Sequence, residues 1–435
     1  MDIKSIIRKK RLKEELTKDE MKYFIGKLQK GEISMSQAAA VMSYIYINGL
    51  TKDEILNLSI NMAESGDMID LSDISDKIVD KHSTGGIGDK ATIILMPILA
   101  ALDVPVAKIS SRGYGVSGGT IDKLESIPGF KTDLSIEEFK YNVKTVGACI
   151  MNQGFNFAPA EGKMYKLRNE IACENSLPII AASLMSLKLA TGSNKIVFDI
   201  TCGKGTYIKN LEEARRLAKL LVRLGKDLNK EVSCVITNMN QPLGYSIGHN
   251  LEMKETIMAL RGIISEDLGN VVEAIGSIMI ALATENKNLD ENAQKIKEVI
   301  RSGAAFEKFK EMVAAQGGDT DYVDDPEIFK KSKYIMPVLA TESGTVESID
   351  ADIVGSIAVY LGAGRMKSEG DINRTAGITL NKKIGDMVTV GETLAYVHTD
   401  DDTKVNGTTQ NLCEAFKITN KKINTKQRIL EIING

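Results

Sequence analysis

The pattern of apolar and polar positions divides the chain into segments of different character. Residues 1–66 read as helices. Thr17 with Glu20, and Thr51 with Glu54, are T-x-x-E pairs: the hydroxyl accepts from a free amide of the first turn and the carboxylate reaches back to the cap. The run from Gln37 to Ile47 is apolar and rich in alanine. Asn48-Gly49 ends it, and Ser65-Gly66 ends the next helix, as left-handed C-cap chemistry predicts. Near residue 76 the pattern changes to short β-type runs that end in glycine-rich loops leading into helices. Residues 77–81 (KIVDK) precede HSTGGIGDK and the apolar helix ATIILMPILAAL. Residues 104–110 (VPVAKIS) precede SRGYGVSGG and TIDKLESI. Residues 195–201 (KIVFDIT) precede CGKGTY and a long helix over 211–224, and 232–237 (VSCVIT) is a further strand.

This β-loop-α alternation predicts an α/β domain around a mostly parallel sheet. In such sheets ligands sit outside the carboxyl ends of the strands, where the three glycine loops fall. Residues 160–192 interrupt the rhythm with helical sequence, and the simplest account packs them back onto the first helices. The expected fold is therefore α/β plus all-α. A discontinuous helical domain (1–67 and 160–192) faces an α/β domain (75–155 and 193–333) across a cleft, and a β-rich domain follows over 335–435. In that last part GITLNKKIGDMVTVGETLAYVHT is similar to a biotinyl- or lipoyl-type hammerhead. No attachment lysine stands at a hairpin tip, so a packing domain is the better reading than a swinging-arm carrier.

Composition narrows the class. The 435 residues are 43% hydrophobic and 26% charged, the balance of an ordinary globular protein of two or three domains. A net charge of −3 argues against a nucleic-acid coat or a membrane-surface protein. His82, His249 and His398 are too far apart for a local metal cluster. The five cysteines form no CxxC pair and read as free thiols of a reducing compartment. The first residues hold no apolar signal core and no apolar run reaches the roughly 18 to 20 residues of a membrane span, so the expectation is a cytoplasmic protein.

The glycine loops carry the candidate chemistry. Lys81-His82-Ser83-Thr84-Gly85-Gly86 puts a lysine, two hydroxyls and two glycines between a strand end and a helix. Glycines let backbone N–H groups converge on an anion, and the lysine adds a point charge. The loop over 110–120 repeats the theme with Ser110, Arg112, Ser117, Gly118, Gly119 and Thr120. Each loop alone also reads as an ordinary glycine turn; together they read as a phosphate cup. His82 lies inside the first loop, placed for proton donation or charge stabilisation. Arg168, Ser183 and Lys188 fall in the helical segment, where spacing alone assigns them no role.

The segments KHSTGGIGDK, SSRGYGVSGGTIDKLESIPGF, LRNE…SLPIIAASLMSLKLA, NQPLGYSIGHNLEMKE and LGAGR…GITLNKKIGD occur in one order across nearly the whole chain. In them the sequence resembles the pyrimidine-nucleoside phosphorylase and thymidine phosphorylase family. The resemblance implies a homodimer that binds a nucleoside and inorganic phosphate, closes about its hinges to exclude water, and needs no organic cofactor. It implies that Lys81, Ser83, Gly85, Ser110 and Thr120 hold phosphate, with Thr92 assisting. It implies that His82, Tyr114, Arg168, Ser183 and the position of Leu187 face the base, with His82, Arg168 and Lys81 carrying the catalysis. Some relatives bind a potassium ion, at positions matching Gly88, Leu243, Ser246 and Glu255. A further ligand position of those relatives is Lys90 here, and a charged lysine cannot ligate a cation but can replace one.

The sequence departs from the family mostly at the base end. Leu187 stands where relatives have a lysine that reaches the pyrimidine carbonyl, Tyr114 where they have leucine, and Val116 where they have histidine. Ser111, Ser117, Thr201 and Tyr207 are smaller departures. Two readings follow: a pyrimidine nucleoside phosphorylase in which Tyr114 and Lys188 compensate, or the same chemistry with a shifted base preference. The other classes weighed are an anthranilate-type phosphoribosyltransferase, for which Asp89 and Asp122 are poorly arranged as a magnesium–diphosphate site, and a catalytically silent homologue.

Overall fold

The computed structural model describes residues 1–113, 118–154, 156–365, 371–423 and 427–435. Helices Ile3–Arg11, Lys18–Lys30, Met35–Asn48 and Lys52–Ala63 come first. Capping boxes form at Thr17/Glu20 and Thr51/Glu54, and a further one at Ser34/Gln37. Glu54 does more than cap: its buried carboxylate accepts from Lys10 Nζ at 2.8 Å and from Leu16 N at 2.9 Å, fastening the first helix to the fourth. Helices Pro159–Glu170 and Leu177–Thr191 return to this bundle. Met164, Leu167, Ile180 and Met185 share one core with Phe24, Ile25, Met42 and Leu58, and Lys163 Nζ donates to Gln29 O at 2.6 Å. The two crossings of the chain touch at Gly66, where a Cβ would lie 2.0 Å from Asn156 O, so only glycine admits the approach.

The α/β part is built on β1 (Val79–Ser83), β2 (Val106–Ser110), β3 (Ala148–Asn152), β4 (Lys195–Cys202) and β5 (Glu231–Asn238). They are parallel and ordered β5-β4-β1-β2-β3. Register sets His82 beside Phe198 and Ser83 beside Asp199. Both faces are covered, and β3 and β4 read as largely apolar runs, whereas β1 carries Asp80, Lys81, His82 and Ser83. One face packs on the wholly buried helix Ala91–Ala100 and on Glu266–Ala283, the other on Leu211–Asp227 and the helical bundle. Ser83, Ser110 and Cys202 end their strands on one edge of the sheet.

The C-terminal part uses β6 (Ser246–Ile247), β7 (Tyr334–Leu339), β8 (Gly344–Ile349), β9 (Gly377–Leu380), β10 (Met387–Val388), β11 (Thr393–Thr399) and β12 (Phe416–Thr419). These form two antiparallel sheets, β6-β9-β11-β7 and β10-β8-β12, with helices Ala351–Ala358 and Val405–Glu414 alongside. The boundary expected at residue 335 is crossed in both directions. β6 joins the C-terminal sheet from the α/β segment, and the last strand, β13 (Ile429–Asn434), pairs antiparallel with β5. Without β13, β5 would present an open row of backbone groups at the sheet edge. Among the described residues no helix is long and apolar enough to cross a membrane.

Candidate active site

The strand ends assemble one charged end of the site. Lys81 projects from β1 and is 1% exposed, its Nζ 3.0 Å from Asp199 on β4 and 3.7 Å from Asp89. Burial disfavours the ammonium, but the Asp199 and Asp89 carboxylates outweigh it and hold the lysine above its ordinary value. Burial raises Asp199, and the Asp89 charge adds to it over the pull of Lys81; Asp89 is held down by Lys81 and the Ser83 hydroxyl against its own burial. Ser83 Oγ also accepts from Gly85 N at 3.1 Å. Thr201, on β4, lies 2.8 Å from the Thr84 hydroxyl and donates to Gly85 O, fixing the loop in which Gly85 takes φ +89°. Thr92 is buried in the first turn of Ala91–Ala100. Ser110 ends the neighbouring strand β2, and Thr120 opens the short helix Thr120–Leu124.

Arg112, expected in the phosphate cup, instead makes a bidentate pair with Glu125 and lies 3.7 Å from Asp122. Its guanidinium is matched by carboxylates on the helix that follows the loop. Sequence reasoning missed the residue that braces this loop from the C-terminal part. Arg365 donates to Gly113 O at 3.0 Å and to both Asp122 oxygens at 2.9 and 2.6 Å, while Asp122 accepts from Gly113 N at 2.8 Å. Ser117, Tyr114 and Val116 lie outside the described residues.

Behind the loop sits a second buried charge cluster. Lys188, on the returning helix, donates to Asp80 of β1, and both side chains are fully buried. Lys188 is therefore held by a carboxylate and is not free to replace a lysine at position 187, which corrects the expected compensation. Lys108 of β2, overlooked in the sequence, lies 3.8 Å from Asp80; burial and the Lys188 charge push it well below the ordinary lysine range. His82 lies next to these cations, its ring 6.5 Å from Phe198 and its Nδ1 buried without a hydrogen-bond partner among the described residues. Burial, with Lys108, Lys188 and Lys81, lowers it well below the ordinary histidine value. At neutral pH His82 is a neutral imidazole that can donate a hydrogen bond, not an imidazolium carrying a spare proton.

The helical segment supplies the other end. Arg168 is 7% exposed, and its Nε and Nη1 have no hydrogen-bond partner among the described residues. Its guanidinium lies over the Tyr165 ring at 4.5 Å, an i, i+3 cation–π pair whose signal in sequence is the Y-x-x-R spacing. Tyr165 hydrogen-bonds through its hydroxyl to Tyr207 in the loop after β4, and burial raises both phenols. A residue of the helical segment is thereby joined to the loop beyond a strand end. The Ser183 hydroxyl donates to Glu161, which also accepts from Gln153 Nε2 at 3.0 Å. Leu187 is 5% exposed and packs among Ile69, Leu71, Ile78, Ile109 and Phe139. Tyr165, Glu161 and Gln153 were not foreseen.

Gly88, Leu243, Ser246 and Glu255 do come together, but around a side chain. Lys90 Nζ lies 3.0 Å from Leu243 O, 3.2 Å from Ser246 O and 2.9 Å from Glu255. Gly88, at φ +77°, passes so close that a Cβ would meet Leu243 O at 2.5 Å. These donors do not fit a potassium ion, because an ammonium already occupies them.

Comparison with known proteins agrees with this architecture. The model of the glycosyl transferase family a/b domain matches residues 75–306, that of the family's helical bundle domain residues 4–66, and that of the pyrimidine nucleoside phosphorylase C-terminal domain residues 345–419. The chain is 44% identical over 395 residues to a pyrimidine-nucleoside phosphorylase of Staphylococcus aureus (strain USA300), covering 91% of each. It is 44% identical over 398 residues to that of Bacillus subtilis (strain 168), covering 92% of each, and 41% identical over 418 residues to that of Geobacillus stearothermophilus, covering 96% of each. Among solved structures, anthranilate phosphoribosyltransferase from Thermus thermophilus aligns with a TM-score of 0.58 at 19% identity, over 72% of this chain and 99% of that one, which is a likeness of fold alone. With both glycosyl transferase domains, the C-terminal domain and this identity across its length, the chain belongs to the pyrimidine-nucleoside phosphorylase family.

Proposed function

We propose that the protein catalyses the reversible phosphorolysis of pyrimidine nucleosides, giving free base and pentose 1-phosphate. The observation that carries this reading is the placement of Lys81, Ser83 and Ser110 at the ends of two adjacent parallel strands, in a chain whose relatives are named for that activity. Inorganic phosphate is the co-substrate, held by Lys81, Ser83, Gly85, Ser110 and Thr120 with Thr92 beneath. No organic cofactor takes part.

In the reaction the glycosidic C1′–N bond breaks, the base leaves with the electron pair, a phosphate oxygen bonds to C1′, and the proton that the hydrogenphosphate sheds as it becomes the pentose 1-phosphate dianion ends on the base. The transition state is oxocarbenium-like, so the phosphate dianion first stabilises the cation and then captures it. Negative charge develops on the departing base. The unpartnered Nε and Nη1 of Arg168 are donors ready for it, and the neutral His82 imidazole supplies another; preorganised donors aimed at developing charge lower such barriers. Ser183, oriented by Glu161, orients the base.

A second reading concerns the base. With Leu187 in the core and Lys188 held by Asp80, Arg168 is the cation this end offers, and that favours a shift in base preference. A panel of uridine, thymidine, 2′-deoxyuridine, cytidine and inosine with phosphate, followed by release of free base, separates the two. Uridine, 2′-deoxyuridine or thymidine leading supports the pyrimidine reading. Another nucleoside leading supports the shift, and no phosphate-dependent release from any of them contradicts both.

The protein acts as a homodimer in the cytoplasm. Ile47 is 71% exposed and, with Met35 and Tyr46, lies bare on helix Met35–Asn48, an apolar face suited to a second copy. Five free cysteines suit a reducing compartment.

A further inference from the structure

The turn over 242–246 is bonded mostly by charged side chains of the chain itself. Its amides point to carboxylates: Gly244 N donates to Asp267 at 3.1 Å, Tyr245 N to Glu255 at 2.7 Å and Ser246 N to Glu255 at 2.8 Å. That arrangement turns the carbonyls the other way, and each has a donor. Lys383 Nζ lies 2.7 Å from both Pro242 O and Gly244 O. Lys90 Nζ takes Leu243 O and Ser246 O, and Leu380 N takes Tyr245 O at 2.7 Å. Rings of backbone carbonyls with a carboxylate are the ligands a potassium ion takes in place of its hydration shell. Here a tethered ammonium, with three N–H donors, meets two carbonyls and one carboxylate.

We propose that Lys90 is a built-in monovalent cation: its ammonium takes the place of a diffusible potassium ion, and the protein is independent of alkali metal. The tether links two working parts. Lys90 follows Gly85, Gly88 and Asp89 directly, so its bonds fasten the loop that follows Lys81 to the turn that leads into helix His249–Leu260. The Leu243 N to Ile87 O bond at 3.0 Å closes the same junction from the other side. A Cβ on Gly244 would lie 2.9 Å from Lys90 Nζ, so the backbone of the turn closes against the ammonium. Lys90 is a positioning residue: it touches neither reactant and acts through the loop.

The test compares the wild type with Lys90→Thr, Lys90→Ser and Lys90→Met, in tetramethylammonium chloride and with potassium chloride replacing it at constant ionic strength. Thermal midpoint and phosphorolysis rate are read together. The wild type is expected to hold rate and midpoint within about 1.5-fold and about 1 °C. The threonine and serine variants, which exchange the ammonium for an oxygen ligand, should lose about tenfold in rate without potassium. They should then regain rate and midpoint saturably as potassium chloride rises to about 100 mM. Lys90→Met should lose rate and regain nothing. A saturable wild-type response of about threefold or more overturns the proposal, as do folded threonine and serine variants indifferent to potassium. The wild-type measurement decides even if the variants do not fold. Only the rate readout rests on the phosphorolysis reading: a wild type without phosphorolysis overturns that reading, while the midpoints still decide this one.

Discussion

The two ends of the site solve opposite electrostatic problems. At the strand ends, Lys81 is buried between Asp89 and Asp199, a cation already supplied with counter-charges. In the helical segment, Arg168 is almost as deeply buried, yet two of its nitrogens have no partner among the described residues and an aromatic ring lies under its plane. The difference teaches how each end meets its ligand. An anion arriving at Lys81 joins an existing network whose geometry is set by the fold. A group arriving at Arg168 satisfies donors that are otherwise buried and unpaired, a cost of about 1–3 kcal/mol each that binding relieves. The first end is organised for a permanent charge, the second for a charge that develops during reaction.

Breaking each end should therefore have different signatures. The largest effect is expected from Lys81→Met, which leaves Asp89 and Asp199 facing each other without their cation. Steady-state kinetics should show kcat/KM down by about 10³-fold or more, about 4 kcal/mol, with the loss concentrated in the KM for phosphate. If its donors act on the leaving base as proposed, Arg168→Gln should lower kcat by about 10²-fold and leave the KM for phosphate nearly unchanged. Equal losses in both variants with the same KM pattern would erase the distinction between the ends.

A smaller effect probes the rear of the anion end. His249 is buried with both ring nitrogens unpartnered among the described residues, facing Asp122, Lys123, Arg365 and Arg374, and burial lowers it to about 4. The unfolded chain protonates this histidine near its ordinary value and the folded chain refuses the proton until about 4. Its stability contribution is therefore complete above the unfolded value and is lost as pH falls from about 6.5 towards about 4. Urea unfolding should show about 2 kcal/mol of that loss at pH 5, and His249→Asn should flatten the slope by that amount. The smallest effect is expected from Tyr207→Phe, which removes the hydroxyl joined to Tyr165 under Arg168. It should cost about 1 kcal/mol, read as a rise of several-fold in the KM for nucleoside with kcat nearly kept.

The anion end was legible in the sequence because its determinants are local. Lys81, Ser83 and Gly85 sit within five residues, and strand-loop-helix punctuation places them at a strand end without knowledge of the rest of the fold. The helices of the first 66 residues were equally legible, since each capping box closes within four residues. The other end was not, because its contacts are made across the chain: Tyr165, beneath Arg168, meets Tyr207 only through the return of the helical segment, and Lys188 meets Asp80 across 108 residues. Nothing local marks Lys188 as the partner of a carboxylate, or Arg112 as paired with Glu125. β13 was assigned to the C-terminal domain because a six-residue strand carries no signal of which sheet edge it covers. Arg365 was passed over for a similar reason: its partners, Gly113 and Asp122, lie 252 and 243 residues earlier.

The most direct measurement is the stoichiometry of the wild-type reaction. With uridine or thymidine and inorganic phosphate, one pentose 1-phosphate should form for each base released, and base release should cease when phosphate is withdrawn. Base released without phosphate, as free pentose, or only with diphosphate, would contradict the assignment of the Lys81 end to inorganic phosphate.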